Sequence, residues 1–574
     1  MSTLRKPALG PIVGHTTHQS CRLWIAASDA LDEKSLDADR RTIGILGVVG
    51  KNGKVKPGDI YYFRLRREYD RTGTFNLGVD TSLWKDAAEE QRLEPFKLDA
   101  GATYTVRMAS LNLDDAYPND SNVSSEAIAA KLPPPRAWED KLNLEGGKDD
   151  VYAEATFTTH PAPPAPNTPA PLSFLLGSCR YPGLLWKRKE ADRIWGPMLE
   201  QHEARPVNFT LMVGDQIYAD MFNRMIPIGL ADTYKEFQER YHTAFGSRNM
   251  QKFLSRIPTY MILDDHEIED NWSQDRLHES NAKRMLFNLA IGAYMSYQWS
   301  HGPRFPDSYV HDPAYGVPDS LKRMDTLNLF YDFICAGYPF FVLDTRTQRY
   351  HSDQPGLADN HLLGRPSLDA SEPSQCDRVC AWLEHMQKTR GNVPKFIVSP
   401  SVFLPNGVDT LRGDKHKDKD DAWPAFPNTR RRILETIVQG KVQNVIFLSG
   451  DIHCSSVAQL EFTGPGAALK AYSIVSSAFY WPFAFADGDP AGYVHDSLDS
   501  RTKDGFEIGQ TLGTMHYRAW GFSQDDNFCR LDVDPAAAVL AVQAFDWDGG
   551  PITRSRKDGS RQSQPERLEL AKWT

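Results

Sequence analysis

The sequence predicts two domains: an all-β sandwich followed by an α/β (α+β) sandwich of mixed β-sheets flanked by helices. Three observations predict this. The chain is 574 residues long, beyond what a single hydrophobic core organises. Six prolines fall within "HPAPPAPNTPAP" at 160–171, which favours an extended connector over helix or strand. The apolar pattern also changes across that stretch, from alternation before it to continuous runs after it. The expected boundaries are 1–159 for the first domain, 160–171 for the linker and 172–574 for the second domain.

In the first domain "SCRLWIAAS", "DIYYFRLRREY", "ATYTVRMASLNL" and "VYAEATFTTH" alternate β-branched and aromatic residues with polar ones, as half-buried antiparallel strands require. "LDAGATYTVRM" resembles the tyrosine-bearing late strand of a fibronectin type III or immunoglobulin-like sandwich. In the second domain the strand candidates are "LSFLLGSCR", "NFTLMVGDQIYAD", "PTYMILDDHEIEDNW", "PFFVLDTRTQR", "PKFIVSPSVF" and "NVIFLSGDIHCSS". Runs this apolar suit strands buried on both faces by helices. Helix-length segments such as "RKEADRIWGPMLEQHEA" and "NTRRRILETIVQG" lie between them. The mixed-charge run "DKHKDKDD" reads as a solvated loop.

With 41% hydrophobic and 24% charged residues, the composition is that of an ordinary globular protein, neither disordered nor fibrous. A net charge of −10 argues against a general nucleic-acid binder, so no nucleic acid is expected as a structural partner. No apolar stretch approaches the roughly 18 to 20 residues that span a bilayer, and "MSTLRKPALGPIVG" lacks the apolar core of a signal peptide. The expectation is a chain without a transmembrane segment, cytoplasmic as given and secreted or periplasmic if a leader was removed. Seven scattered cysteines do not suggest a disulfide framework. Cys376 and Cys380 are spaced one helical turn apart, which reads as packing.

Several apolar runs end in residues that bind metal or phosphate: Cys179 and Arg180, Asp215 and Tyr218, Asp264, Asp265 and His266, Asp451 and His453. In open α/β sheets the ligand site lies beyond the carboxyl ends of the strands. One thiol, one phenol, two histidines and several carboxylates therefore gather toward one crevice, where mutual repulsion among the carboxylates calls for cations. Singly, each residue has an ordinary structural explanation as a cap, an ion pair or a small buried hydrophobe. As an ordered set they are far more specific.

"GSCR", "GDQIYAD", "DDHEIEDNW", "LDTRTQR" and "SGDIHCSS", in that order, resemble the signature of the PhoD-like phosphatases, the alkaline phosphatase D family within the calcineurin-like metallophosphoesterase superfamily. "GPIVGHTTHQSCRLWI" resembles that family's N-terminal β-domain. The resemblance implies a metallophosphoesterase sandwich with a di- or multinuclear centre in which Asp215 bridges two metals. The first metal would take Cys179, Asp215, Tyr218 and His453, and the resemblance points to Fe3+ there. The second would take Asp215, Asp265 and Asp451, a carboxylate set that favours a hard cation; the family implies Ca2+, one or two ions, with Mn2+, Mg2+ or Zn2+ as alternatives. Asp264 competes with Asp265 for the ligand role, since neighbours on an extended strand point to opposite sides. Asp220 either orients a ligand or caps the following segment.

The implied activity is hydrolysis of phosphomonoesters, phosphodiesters or both by a metal-bridged hydroxide. His266 would protonate the leaving oxygen or stabilise its charge. Arg180 and Arg346 offer guanidinium forks to phosphate, or else form structural ion pairs, Arg346 with Asp344. Asn271 contacts phosphate or caps a helix. Trp423 in "DAWPAF" packs on substrate or anchors the loop before it, and the aromatic "AFYWPFAF" lines the pocket or plugs the sheet edge. The expected partner is a small-molecule or lipid-like phosphate ester, with oligomeric state left open. The rival enzyme is a phosphodiesterase or phospholipase D-like hydrolase, which uses the same nucleophile and differs at the pocket rim. From another class, a catalytically inactive binding module would have lost at least one ligand. A thiol phosphatase on Cys179 lacks the glycine-rich, arginine-terminated loop it needs.

Overall fold

A computed structural model describes residues 3–27, 42–66, 69–84, 94–113, 125–130, 132–148, 150–166, 168–183, 189–220, 230–303, 328–352, 359–365, 373–407, 421–483, 489–492, 496–498 and 505–573. The chain groups into two compact units. One comprises 1–163, 233–260 and 292–302, and the other 164–232, 261–291 and 303–574.

The first unit is an antiparallel β-sandwich. One sheet runs Thr3–Arg5, Thr103–Asn112, Thr42–Val49, Val55–Arg64, with Ala153–Thr158 beside Thr103–Asn112. The other runs Leu9–Thr16, Cys21–Ala26, Thr72–Leu77. Because strand side chains alternate faces, Leu46, Tyr61, Phe63, Val106 and Met108 pack against Leu23, Ile25 and Phe75 of the second sheet. Their neighbours Ile43, Ile45, Ile60, Tyr62, Ala109 and Leu111 pack on the opposite face with Trp138, Leu142 and Tyr152. Both faces are therefore buried, more than alternation alone predicts.

The second unit packs two mixed sheets. The smaller has the order Thr259–Ile262, Phe209–Val213, Leu172–Gly177, Asn527–Asp534, Val539–Asp546, Glu566–Glu569. The larger has ten strands, with a parallel centre of Tyr338–Val342, Lys395–Ser399, Val445–Ser449 and Ala471–Val475. All six predicted strands are present. The antiparallel strands Ser455–Phe462, Gly513–Ser523, Asn527–Asp534 and Val539–Asp546 enlarge the sheets beyond that expectation. Aromatic rings fill the space between the sheets: Phe174 and Phe209 stack at 5.1 Å, Phe340 and Phe396 at 4.5 Å, and the two pairs meet edge to face. The alternate residues Phe341 and Ile397 turn outward under the helices Gln375–Arg390 and Pro427–Gln439. A capping box of Ser374 and Asp377 starts the first of these helices by satisfying its free N–H groups. All seven cysteines are free and buried. Among the described residues no helix is long and apolar enough to cross a membrane.

Candidate metal centre

Four strands end just before a candidate ligand: Leu172–Gly177 before Cys179, Phe209–Val213 before Asp215, Thr259–Ile262 before Asp264 and Asp265, and Val445–Ser449 before Asp451. The chain leaves three of these strands sharply. Cys179, Asp215, Asp451 and His453 have φ of 57°, 56°, 71° and 50°, a region that side-chain-bearing residues seldom occupy and that concentrates at functional sites. Glycines make the approach of these loops feasible. A Cβ on Gly214, itself at φ 90°, would sit 2.4 Å from Asp264 Cβ, and one on Gly450 would sit 2.3 Å from Ser178 Oγ.

The resulting cluster is tight. The Cys179 thiol donates to Asp215 Oδ2 at 3.3 Å, and the Tyr218 hydroxyl lies 3.5 Å from the same oxygen and 3.4 Å from His453 Nε2. Three sets bring ligand atoms within 4.8 Å of one another: Cys179, Asp215 and His453; Asp215, Asp265 and His266; Asp264, Asp265 and Asp451. Asp215 is common to the first two sets and Asp265 to the last two. Asp264 Oδ2 is buried without a hydrogen-bond partner, and Asp265 Oδ1 has none either, facing only the Arg346 guanidinium at 3.6 Å; a buried carboxylate oxygen so placed is costly unless a cation or proton meets it. The residues fit metal binding. The first set joins thiol and imidazole, with a phenol adjacent, whereas the last is carboxylate only and suits a harder ion.

Electrostatics within the cluster agree. Burial, then Cys179, Asp265 and Asp264, push Asp215 well above the usual carboxylate range. Burial likewise raises Asp451, with Asp421 and Asp264 adding to it and Arg346 opposing. Asp264 rises to about 7 through burial despite Arg346, and burial lifts the Cys179 thiol to about 12. His453 falls to about 3 through burial and the charge of His266, which leaves a neutral imidazole of the kind that ligates metals. These raised acids hold a proton more tightly than a free carboxyl or thiol does, and cation binding would displace it.

A second ring of residues holds the cluster. Glu267, 1% exposed, accepts the backbone N–H groups of Asp215 at 3.0 Å, Gln216 at 2.7 Å and Asp264 at 2.8 Å. One carboxylate thus ties two ligand loops together. Asp220 accepts from the Asp270 N–H at 2.6 Å and pairs with His266 Nδ1 at 2.7 Å. Burial opposes a charged His266, but Asp220, Asp265 and Asp270 outweigh it and raise the imidazole to about 10. Asp220 is accordingly the orienting group of His266.

The expected substrate contacts fare differently. The Arg346 guanidinium is fully buried and bonds Asp264 and Asp421, with Asp265 at 3.6 Å and Asp451 at 3.9 Å. It offsets only part of the carboxylates' charge, since Asp264 and Asp451 stay raised despite it. Asp344 accepts its backbone N–H at 3.0 Å instead of pairing with the guanidinium. Asp421 also pairs with Arg349, so the last residue of "DKHKDKDD" belongs to a buried ion cluster and corrects the solvated-loop reading there; 414–420 lie outside the described residues. Arg180 is 2% exposed, and burial lowers its pKa to about 10 with Asp192 opposing. Asn271, at φ 55°, donates its backbone N–H to Asp265 Oδ2 at 2.7 Å. Trp423 does not reach a pocket mouth. It is wholly buried in the hydrophobic core, its indole N–H on Ser399 Oγ at 3.0 Å and its ring edge-on to Phe403, because packing satisfies both its apolar body and its one donor. Glu267 and Asp421 are not among the residues that the motifs single out as ligands or acid–base groups. Glu267 lies inside "DDHEIEDNW", where an acid among acids carries no mark of its supporting role.

A mixed-sheet α/β sandwich whose strand ends gather thiol, phenol, imidazole and carboxylate defines a class of proteins with a strand-end metal-ligand centre. The sequence model of the PhoD-like phosphatase family matches residues 186–484, and the chain belongs to that family. It is 23% identical over 235 residues to alkaline phosphatase D of Bacillus subtilis (strain 168), a match over 40% of this chain and 36% of that protein's length. The solved structure titled "Structure of PhoD" superposes with a TM-score of 0.53 at 16% identity, covering 98% of this chain and 92% of that one. That likeness extends to the fold.

Proposed function

We propose that this chain is a metal-dependent hydrolase of phosphate esters, acting on phosphomonoesters, phosphodiesters or both. The observation that carries this is the convergence of the three ligand sets, joined through Asp215 and Asp265. Fe3+ would be held by Cys179, Asp215, Tyr218 and His453, and Ca2+ by Asp215, Asp265 and Asp451 with Asp264 beside them. When bound, such ions lower the pKa of water and neutralise charge on the transferring phosphoryl group.

The chain's own residues do the rest. Asp220 fixes His266 through Nδ1, leaving Nε2 as the nitrogen that donates a proton to the leaving oxygen. Arg346 holds Asp264 in place and tempers repulsion within the cluster. Arg180 and Asn271 flank the ligands Cys179 and Asp265, Asn271 supporting Asp265 through its main chain. A binding module that had lost catalysis would not be expected to keep every ligand type at its strand end.

The test is hydrolysis of paired chromogenic substrates, p-nitrophenyl phosphate and bis(p-nitrophenyl) phosphate, by iron-loaded protein with and without added Ca2+. Calcium-stimulated turnover that Asp215→Asn abolishes is the expected result, and the ratio between the substrates separates monoesterase from diesterase. Turnover equal to that of the variant, with metal bound, would refute the reading.

A further inference from the structure

Beside the candidate ligands runs a line of aromatic rings that the chemistry above does not use. The Trp481 indole stacks on His453 at 3.8 Å and 23°. Phe483 stands 5.1 Å beyond Trp481 at 68°, and Tyr181 braces both, edge-on, at 5.3 and 5.9 Å. Backbone bonds pin this line to the centre. The Trp481 N–H donates to Asp526 Oδ1 at 2.9 Å, the Tyr181 N–H donates to the Tyr480 carbonyl at 3.0 Å, and Arg180, next to Cys179, pairs with Tyr480 in a parallel bridge.

A plug that merely packs a sheet edge would bury its outermost ring, yet Phe483 is 54% exposed. Among the described residues it is the exposed large hydrophobic that a ring stack joins to a candidate metal ligand. An exposed apolar face that leads away from a polar site is the usual form of a ligand subsite. The two ring steps, 3.8 and 5.1 Å, extend an apolar surface from the candidate ligand His453 to an exposed ring, a span comparable to one ester substituent. Flat rings gain from edge and offset contacts that a methyl group cannot make.

We propose that Trp481 and Phe483 form a platform selecting phosphodiesters whose retained ester group is a flat aromatic ring. This rests on the phosphoesterase reading above. The test compares phenyl, hexyl and methyl p-nitrophenyl phosphates on the metal-loaded full chain. In all three, water oxygen bonds to phosphorus, the bond to p-nitrophenolate breaks, and the water's protons are released to the medium and to the phosphate, so the leaving group is constant and only the retained group varies. Phe483→Ala should lower kcat/KM for the phenyl ester about three- to tenfold, leave the methyl ester unchanged and affect the hexyl ester less, with Phe483→Tyr restoring the phenyl preference. An unmoved phenyl-to-methyl ratio would overturn the platform while the phosphoesterase reading stands. An equal fall for phenyl and methyl would place the leaving group on the rings, and an equal fall for phenyl and hexyl would make the surface a generic apolar one; either overturns the proposal. If the unaltered chain hydrolyses none of the three, the platform falls, and the phosphoesterase reading falls with it only if p-nitrophenyl phosphate is also left intact.

Discussion

His266 shows how one residue's surroundings decide its part. Its Nδ1 is taken by Asp220 at 2.7 Å, yet it also falls within 4.8 Å of Asp215 and Asp265 as a metal-ligand set. The two roles separate on substitution. As a proton donor, His266→Ala should lower turnover of an alkyl phosphate ester, whose leaving alkoxide needs the proton, by about 10²- to 10⁴-fold, with iron and calcium content per chain unchanged by elemental analysis. Loss of one metal equivalent would make it a ligand instead. At this scale the motifs already name Cys179, Asp215, Tyr218, Asp265, Asp451 and His453, because thiol, phenol, carboxylate and imidazole at strand ends have few other uses in combination. They mislead on Trp423, since nothing local to "DAWPAF" tells an aromatic at a pocket mouth from one in the core.

Between elements, the centre depends on loops from separate strands meeting within hydrogen-bond reach. Glu267 supplies that coupling by accepting three main-chain N–H groups, two on the loop after Phe209–Val213 and one on the loop after Thr259–Ile262. A glutamine offers one acceptor oxygen where two are needed, and its amide N–H would face a backbone N–H. Glu267→Gln should therefore cost about 2–4 kcal/mol of stability, given about 1.5–3 kcal/mol for each charged hydrogen bond lost and partial relaxation. Metal affinity should fall with it. Urea denaturation of the metal-free and metal-loaded protein checks both effects, and a variant as stable as the parent would refute the clamp. The strands themselves are legible as apolar runs, but the hydrogen bonds between their exits are not, because partners 51 or 52 residues apart in the chain leave no periodic trace.

For the whole molecule, acid sensitivity of the first unit follows from its buried histidines. Burial lowers His15 to about 3, His160 to about 4 and His301 to about 3, against about 6.5 in an unfolded chain. The unfolded state then binds protons that the folded state does not. Their stabilisation is complete above about pH 6.5 and declines as pH falls toward the folded values, by up to about 1.4 kcal/mol per pH unit for each histidine. The carboxylates of the candidate centre work in the opposite sense, since Asp264 is raised to about 7. A difference measurement removes them: His301→Leu should lose less stability than the unsubstituted protein between pH 6.5 and 5. Equal pH slopes for the two proteins would contradict the assignment.

By itself, the sequence determined the all-β sandwich, the α/β sandwich after the proline-rich stretch, the parallel strand runs and most of the candidate ligand set, because alternation, apolar continuity and ligand chemistry are local properties. Tertiary structure alone decided that Asp264 and Asp265 both belong to the cluster, that Arg346 offsets part of its negative charge while also pairing with Asp421, that Asp220 orients His266, and that Trp423 is core while Trp481 stacks on a candidate ligand. Each of those outcomes depends on which distant group a side chain meets and how much water is excluded there. Solvation and through-space charge are set by packing, not by neighbours along the chain.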